Sequence, residues 1–273
     1  MTLVVIGPVT EDLVVIGDKS SHKIGGATYF QSFVFERFYE DYLAIVNCSS
    51  ENLIKGFPDE GKVRVILKDD THFFKNFYPD KDNLDVRRQS SNFARIPILK
   101  SDLEDLLPER IDGFVINPLN RHDFPSETVE YLKSFDVPLF LSIQGFLRTP
   151  KDKVKENYTI QLANFDELDT ILSGVHSIFL DGAEKRIIGS GFDVDEMVIT
   201  DGSRGSRIVS DVEIKVSPVK CDKVVDTTGC GDTYMAAYVT QKLLSKSSEN
   251  AGNFASRIAS QKIGNFGPYD FDR

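Results

Sequence analysis

Residues 225–238 read Val-Asp-Thr-Thr-Gly-Cys-Gly-Asp-Thr-Tyr-Met-Ala-Ala-Tyr, a tight glycine turn joined to the first turn of an apolar helix. Gly229 and Gly231 let the backbone bend and come close to a ligand. The N–H groups at a helix start then face an anion with roughly half a positive charge behind them. Asp232 needs an explanation, because a carboxylate beside an anion-binding turn repels the phosphate it neighbours. It makes chemical sense as a base that takes a proton from an incoming hydroxyl. The same spacing allows a structural role, with Asp232 as a helix cap and the glycines as a plain turn. Cys230, inside the turn, reads as a small residue filling an Ala or Gly slot, with redox chemistry as the alternative.

The elements that must position this turn follow from the order of the chain. Leu3 to Ile6, ending at Gly7-Pro8, is a short apolar run expected to form a buried parallel strand. Ligands of open α/β sheets bind at the carboxyl ends of strands, which places Asp12 where a polar substrate could be gripped; a surface loop acid is the plain alternative. Gly25-Gly26 ahead of Thr28, Tyr29, Phe30, Phe33 and Val34 predicts a loop that a ligand approaches, opening onto an amphipathic helix. Residues 42–48, 62–67, 113–116 and 137–141 read as further strands, with a helix around 127–135. Alternating strand and helix implies right-handed crossovers and a mostly parallel sheet. Between Asp69 and Phe93 the aromatic residues interleave with charges, and such strands suit a small antiparallel flap wet on one face, a lid together with the run at 13–16; an ordinary surface hairpin is the plain alternative.

Three more junctions carry candidate residues. The strand at 137–141 leads into Gln144 and Arg148, a pair suited to a polyhydroxylated or anionic ligand. Tyr158 to Ala163 reads as another strand running into Asn164 and Glu167, which share a face and could hold water around a divalent cation; an Asn cap with Glu at N3 has the same geometry. Met197 to Thr200 leads into a tight turn carrying Gly202 and Gly205, then a hairpin over 207–216. After the glycine turn, Ala236, Val239 and Leu243 share a helix face with Met235, and a last helix carrying Phe254 and Ile258 ends near Gly264.

With 273 residues, 41% hydrophobic and 27% charged, the chain fits one large globular domain. Its net charge of -10 argues against nonspecific nucleic-acid or anionic-membrane binding, so a polyanionic ligand would need a metal ion and local N–H donors. Cys48, Cys221 and Cys230 are widely spaced and odd in number, which points to reduced thiols and a cytoplasmic setting. Leu3 to Ile6 is too short and lacks the basic flank of a signal peptide, and no apolar run approaches a membrane span.

Asp-Thr-Thr-Gly-Cys-Gly-Asp at 226–232 resembles the C-terminal signature of the ribokinase-like (PfkB-type) carbohydrate kinases. Gly7 with Asp12, Gly25-Gly26, Asn164 with Glu167, and Thr200 to Ser206 extend the resemblance over almost the whole chain. It implies a three-layer α/β sandwich with a mostly parallel central sheet and a small β lid, one domain over 1–273 with the lid at about 12–24 and 69–93. It further implies ATP and Mg2+ as cofactors, Asp232 as general base, and Gly229, Cys230 and Gly231 as an anion hole. Asp12, Gly25 and Gly26, with Gln144 and Arg148, would bind substrate. Asn164, Thr200, Gly202 and Gly205 would lie on the nucleotide side, with Glu167 reaching Mg2+ through water. Asp226 would contribute to a monovalent cation site such as one for K+.

Departures from the family pattern are Cys230 in place of the usual Ala, Phe30 where Asn is common, and a short interval from Asp12 to Gly25 that implies a reduced lid. Lid strands often pair between subunits in this family, so monomer and homodimer both stay open. Gln144 to Arg148 is similar to a segment of inositol-kinase-like members. A cyclitol such as myo-inositol is therefore the first substrate expectation, with ribose, fructose or a nucleoside next. A catalytically silent ligand-sensing domain on the same scaffold is the rival reading. A dinucleotide-dependent oxidoreductase is not supported, because no Gly-x-Gly-x-x-Gly follows the first strand.

Overall fold

A computed structural model describes residues 1–79, 88–189 and 191–269. The chain opens with β1 (Thr2–Ile6), β2 (Thr10–Ile16), β3 (Lys19–Gly25), α1 (Ala27–Phe38) and β4 (Tyr42–Cys48). It continues with β5 (Val63–Leu67), β6 (His72–Tyr78), β7 (Arg88–Ser91), α2 (Lys100–Leu103) and β8 (Ile111–Ile116). Next come α3 (Ser126–Lys133), β9 (Leu139–Ser142), α4 (Gln144–Leu147), β10 (Arg148–Val154), β11 (Asn157–Leu162) and α5 (Leu168–Leu172). The last third holds β12 (Val175–Asp181), α6 (Gly182–Ile188), β13 (Val194–Thr200), β14 (Ser206–Val209), β15 (Glu213–Val216), α7 (Cys230–Ser245) and α8 (Ser248–Ile263).

Nine strands form the main sheet in the order β15-β14-β13-β12-β9-β8-β1-β4-β5. The pairs from β13 to β5 are parallel, and β14 and β15 turn back antiparallel at one edge. The all-apolar β1 shows why the sheet is covered twice. Leu3 and Val5 enter a core shared with α1, α7 and α8, while Val4 and Ile6 enter a second core with residues of α2, α3, α5 and α6. Alternate side chains of one strand thus face opposite layers, which makes the three-layer α/β sandwich.

A smaller sheet of six strands runs β10-β11-β7-β6-β2-β3, with β2 and β6 parallel and the other pairs antiparallel. It takes in the run at 13–16 and the aromatic segment, with β2 parallel to β6 where an antiparallel flap was expected, and residues 80–87 of that segment lie outside the described ones. Two expectations need correction. The strand over 158–162 belongs to this smaller sheet, where it pairs with Arg148–Val154, so the sheet is larger than the reduced lid inferred from the short interval between Asp12 and Gly25. The main sheet instead contains β12, whose Val175-His-Ser-Ile-Phe-Leu run lies between β9 and β13 and outside the strands expected from the sequence. Among the described residues, no helix is long and apolar enough to cross a membrane.

A buried polar cluster clamps α7 and α8 to the main sheet. Glu196 of β13 accepts from Tyr238 Oη at 2.6 Å, Ser177 Oγ at 3.2 Å and Lys242 Nζ at 3.1 Å, and also from Ser248 Oγ. Burial alone would raise its pKa. The Ser248 and Tyr238 hydroxyls and the Lys242 charge outweigh that and hold the carboxylate below its usual range. Glu196→Ala should cost about 3 kcal/mol, because it takes the carboxylate away from the half-buried Lys242 and from three hydroxyls. The measurement is chemical denaturation, with a lowered midpoint expected at an unchanged m-value.

Candidate active site

One cleft of about 300 Å3 lies at the carboxyl ends of the main-sheet strands, between them and the smaller sheet. Its walls bring together Asp12 and Gly26 from the chain's start, Gln144 and Arg148 from the middle, and Thr200, Gly229, Cys230, Gly231 and Asp232 from the end. These nine residues are among those the sequence singled out, and folding alone makes them neighbours.

Asp12 is buried on β2, where Thr10 Oγ1 donates to its Oδ1 at 2.6 Å. Thr10 and Asp12 are two apart on a strand, so both side chains leave the same face. Gly25, directly opposite Thr10 in the β2–β3 ladder, does not line the cleft but makes room for it. A Cβ there would stand 2.7 Å from both Asp12 Oδ2 and Thr10 Oγ1. Gly26 caps α1 at φ 98°, a conformation that favours glycine.

Gly229 caps α7 in the left-handed conformation, φ 72°, and a Cβ on it would lie 2.3 Å from Phe30 Cδ1. The turn therefore packs directly on the Phe30 ring. Thr233 N–H closes the first helical turn on Gly229 O at 2.8 Å, and Cys230 N–H is donated to Thr227 O at 3.2 Å. Of the three residues expected to form an anion hole, Cys230 thus holds its N–H within the turn in this structure. Gly231 is exposed and has open space on its Cβ side. Burial pushes the Cys230 thiol up to about 11, which keeps it protonated and fits the small-residue reading. Asp232, half-buried in the first turn of α7, completes this wall.

Arg148 opens β10 of the smaller sheet and lines the cleft. It is buried, with its guanidinium carbon 5.3 Å from the Phe74 ring centroid and Nη2 donating to Gln89 Oε1 at 3.4 Å; Gln89 Nε2 donates in turn to Asn76 Oδ1 at 2.9 Å. Phe74, Asn76 and Gln89 all line the cleft. Sequence reasoning missed Asn76, though its phase was available: it shares the buried face of β6 with His72, Phe74 and Tyr78.

Asn164 and Glu167 do not reach the cleft. Both are exposed, Asn164 Oδ1 accepting from Phe165 N at 2.9 Å and Glu167 Oε2 from Ser126 Oγ at 3.1 Å. The strand before them lies in the smaller sheet, so their junction is not at the carboxyl end of the main sheet. The same three-residue spacing recurs at the end of β12, where Asp181 and Glu184 do line the cleft. These two form a capping box: Asp181 Oδ1 accepts from Ala183 N and Glu184 N, and Glu184 Oε2 accepts from Asp181 N. An acid-x-x-Glu after an apolar run was the signal that could have found them.

Gly202 and Gly205 also stay outside the cleft. They shape the turn between β13 and β14, where a Cβ on Gly205 would lie 2.2 Å from Val216 O. Asp226 sits beside the glycine turn and outside the main cleft, its Oδ1 accepting from Thr228 N at 2.9 Å and its Oδ2 from Gly267 N at 3.1 Å.

The cleft's electrostatics centre on Glu184. Burial, with the Asp181 and Asp232 charges, raises its pKa from 4.5 to about 7, although Arg148 pulls the other way. A raised carboxyl releases its proton earlier in the unfolded chain than in the folded one. The ligand-free protein should therefore lose stability as pH climbs from 4.5 to about 7 and hold that loss above it. Glu184→Gln keeps the capping box and should flatten this slope, by about 3 kcal/mol at most. Thermal melts of both proteins across that range check it, and parallel slopes would remove the raised pKa.

Comparison with known proteins agrees with this geometry. The model of the pfkB family carbohydrate kinases matches residues 109–272, more than half of the chain. An uncharacterized sugar kinase from Archaeoglobus fulgidus is 32% identical over 117 residues, 42% of this chain and 44% of its own. Ribokinase from Bacillus subtilis is 26% identical over 189 residues, 63% of this chain and 59% of its own. The match thus spans about half the length of these curated relatives. Among solved structures, a pyrophosphate-dependent kinase in the ribokinase family, complexed with a pyrophosphate analog and myo-inositol, superposes with a TM-score of 0.83 at 21% identity, covering 98% of this chain and 97% of that one. Arabidopsis thaliana ribokinase complexed with ribose and ATP gives 0.71 at 19% identity, covering 97% and 93%. The signature turn, the three-layer fold and the family match converge, and the chain belongs to the pfkB family of carbohydrate kinases.

Proposed function

We propose that this chain is a kinase that moves a phosphoryl group from ATP to a hydroxyl of a small sugar or cyclitol, with myo-inositol the first candidate acceptor. The observation that carries this reading is the cleft itself, where Asp12 and the Gly229–Asp232 turn line one pocket from different walls. Asp12, oriented by Thr10, grips acceptor hydroxyls together with Gln144, while Asn76, Gln89 and Arg148 close the acceptor side. Asp232 takes the proton as the acceptor O–H bond breaks. The acceptor oxygen bonds to phosphorus, and the bond from phosphorus to the donor's bridging oxygen breaks, leaving ADP. Positioning and charge stabilisation supply most of such a transfer.

The donor set fits Mg2+. Among the described residues no three His, Cys, Asp or Glu converge as a cage, yet Mg2+ is usually held by one or two carboxylates, waters and the substrate's phosphates. Glu184 and Asp181, close enough to raise the Glu184 pKa, are the residues that would hold it through water, in place of Glu167. When bound, the ion neutralises phosphate charge. The smaller sheet, through Phe74, Asn76 and Gln89, serves as the lid over the acceptor.

Pyrophosphate is the alternative donor. Two observations favour it: the similar structure that binds myo-inositol is a pyrophosphate-dependent kinase, and Gly202 and Gly205, expected beside a nucleotide, do not line the cleft. An assay of polyols, sugars and nucleosides with each donor should give turnover with one of them. Tight ligand binding without turnover on any pairing would favour the ligand-sensing domain instead. Asp232→Asn should lower kcat by about 10²–10⁴-fold while melting temperature and donor affinity persist. Near-normal turnover in that variant would remove Asp232 as the base.

A further inference from the structure

Beneath the anion turn lies a side chain that the cleft's chemistry does not use. Lys262, in the last turn of α8, is 0% exposed. Its Nζ donates to the main-chain oxygen of Asp226 at 2.7 Å, stands 4.0 Å from Asp226 Oδ2 and lies 6.0 Å from the Phe30 ring centroid. Complete burial of a lysine is rare and unfavourable unless the charge is matched, and a buried pair seldom exceeds well-packed apolar residues in stability. Stability alone is thus a poor reason for Lys262 to be there.

The surroundings are those of a cation site. Ile263 O, at the C-terminal end of α8, accepts Val225 N–H at 2.8 Å and Asp226 N–H at 3.3 Å, so the negative end of the α8 dipole abuts the segment leading into the turn. Asp226 adds a carboxylate that two N–H groups hold in place, with Lys23 Nζ at 3.8 Å on its open side. Burial would raise the Asp226 pKa, but Lys262 and these N–H donors outweigh it and keep the carboxylate ionised. Burial draws Lys262 down, and the Asp226 charge opposes that. The monovalent cation that the family resemblance placed at Asp226 does not fit here, because the Lys262 ammonium already sits on the Asp226 main-chain oxygen and within 4.0 Å of its carboxylate.

We propose that Lys262 is a built-in monovalent cation: its ammonium ties the end of α8 to Asp226, orders the 226–229 turn that starts α7, and makes potassium unnecessary. The role is one of positioning, since Lys262 touches the turn and is absent from the cleft lining. The effect on turnover rests on the kinase reading above; the effect on the turn's order does not.

The test compares wild type and Lys262→Met in potassium, sodium and choline chloride at matched ionic strength, reading both melting temperature and kcat. Wild type should be indifferent to the ion in both. Lys262→Met should lose about tenfold or more in kcat in choline, with potassium restoring most of it and raising the variant's melting temperature above its value in choline. Wild-type activation or stabilisation by potassium overturns the proposal, and so does a folded variant that potassium does not rescue or that needs no rescue. If Lys262→Met fails to fold, the wild-type ion series decides. If wild type turns over no acceptor with either donor, the kinase reading falls, and the melting temperatures still judge Lys262.

Discussion

The close approach of Gly229 to the Phe30 ring is the contact on which the cleft depends. No side chain fits between the start of α7 and the start of α1, and the positive φ at Gly229 turns the backbone there at no steric cost. Because α1 begins immediately after the β2–β3 hairpin that carries Asp12, the same contact sets how far the Gly229–Asp232 turn stands from the Asp12 carboxylate. Phe30 thereby takes on a task that a smaller polar residue at its position would leave undone.

Around that contact the two sheets divide the work. The main sheet, packed on both faces, supplies rigid strand ends from which Gln144, Asp181 and Thr200 project. The smaller sheet has one face toward the cleft, so its strands alternate between buried residues such as Phe74 and Asn76 and more exposed ones. Arg148 joins the two, since it begins β10 in the smaller sheet while its charge acts on Glu184 beside the main one. A shift of one sheet against the other would therefore register at the carboxylate with the raised pKa.

Charge is arranged in two tiers. In the cleft, Asp12, Asp181, Glu184 and Asp232 outnumber Arg148, a field suited to hydroxyls and to a cation but unfavourable for a bare phosphate. Under the turn, Lys262 and Lys23 face Asp226, so positive charge backs the segment where an anion would rest. A chain with a net charge of -10 thus keeps a local concentration of positive charge beneath this turn.

The sequence by itself determined what depends on neighbours along the chain. The apolar run at Leu3 to Ile6 had to be a twice-covered strand, Gly229 to Asp232 had to be a turn opening a helix, and Asp12, Gln144, Arg148 and Thr200 stood at element boundaries that did converge. What it left open depended on which sheet a strand joins. Asn164-Phe-Asp-Glu167 and Asp181-Gly-Ala-Glu184 have the same spacing after similar strand-like runs, and local periodicity is blind to the difference. Only the pairing of 157–162 with 148–154 sends the first pair to the surface, and only the insertion of 175–181 between β9 and β13 brings the second into the cleft. Lys262 follows the same logic: on its own helix it reads as an ordinary last-turn cation, and its burial against Asp226 exists only once α8 ends beneath the turn. Spacing along a strand or helix is a property of the local backbone, whereas burial and charge pairing arise between segments that only the folded core brings together.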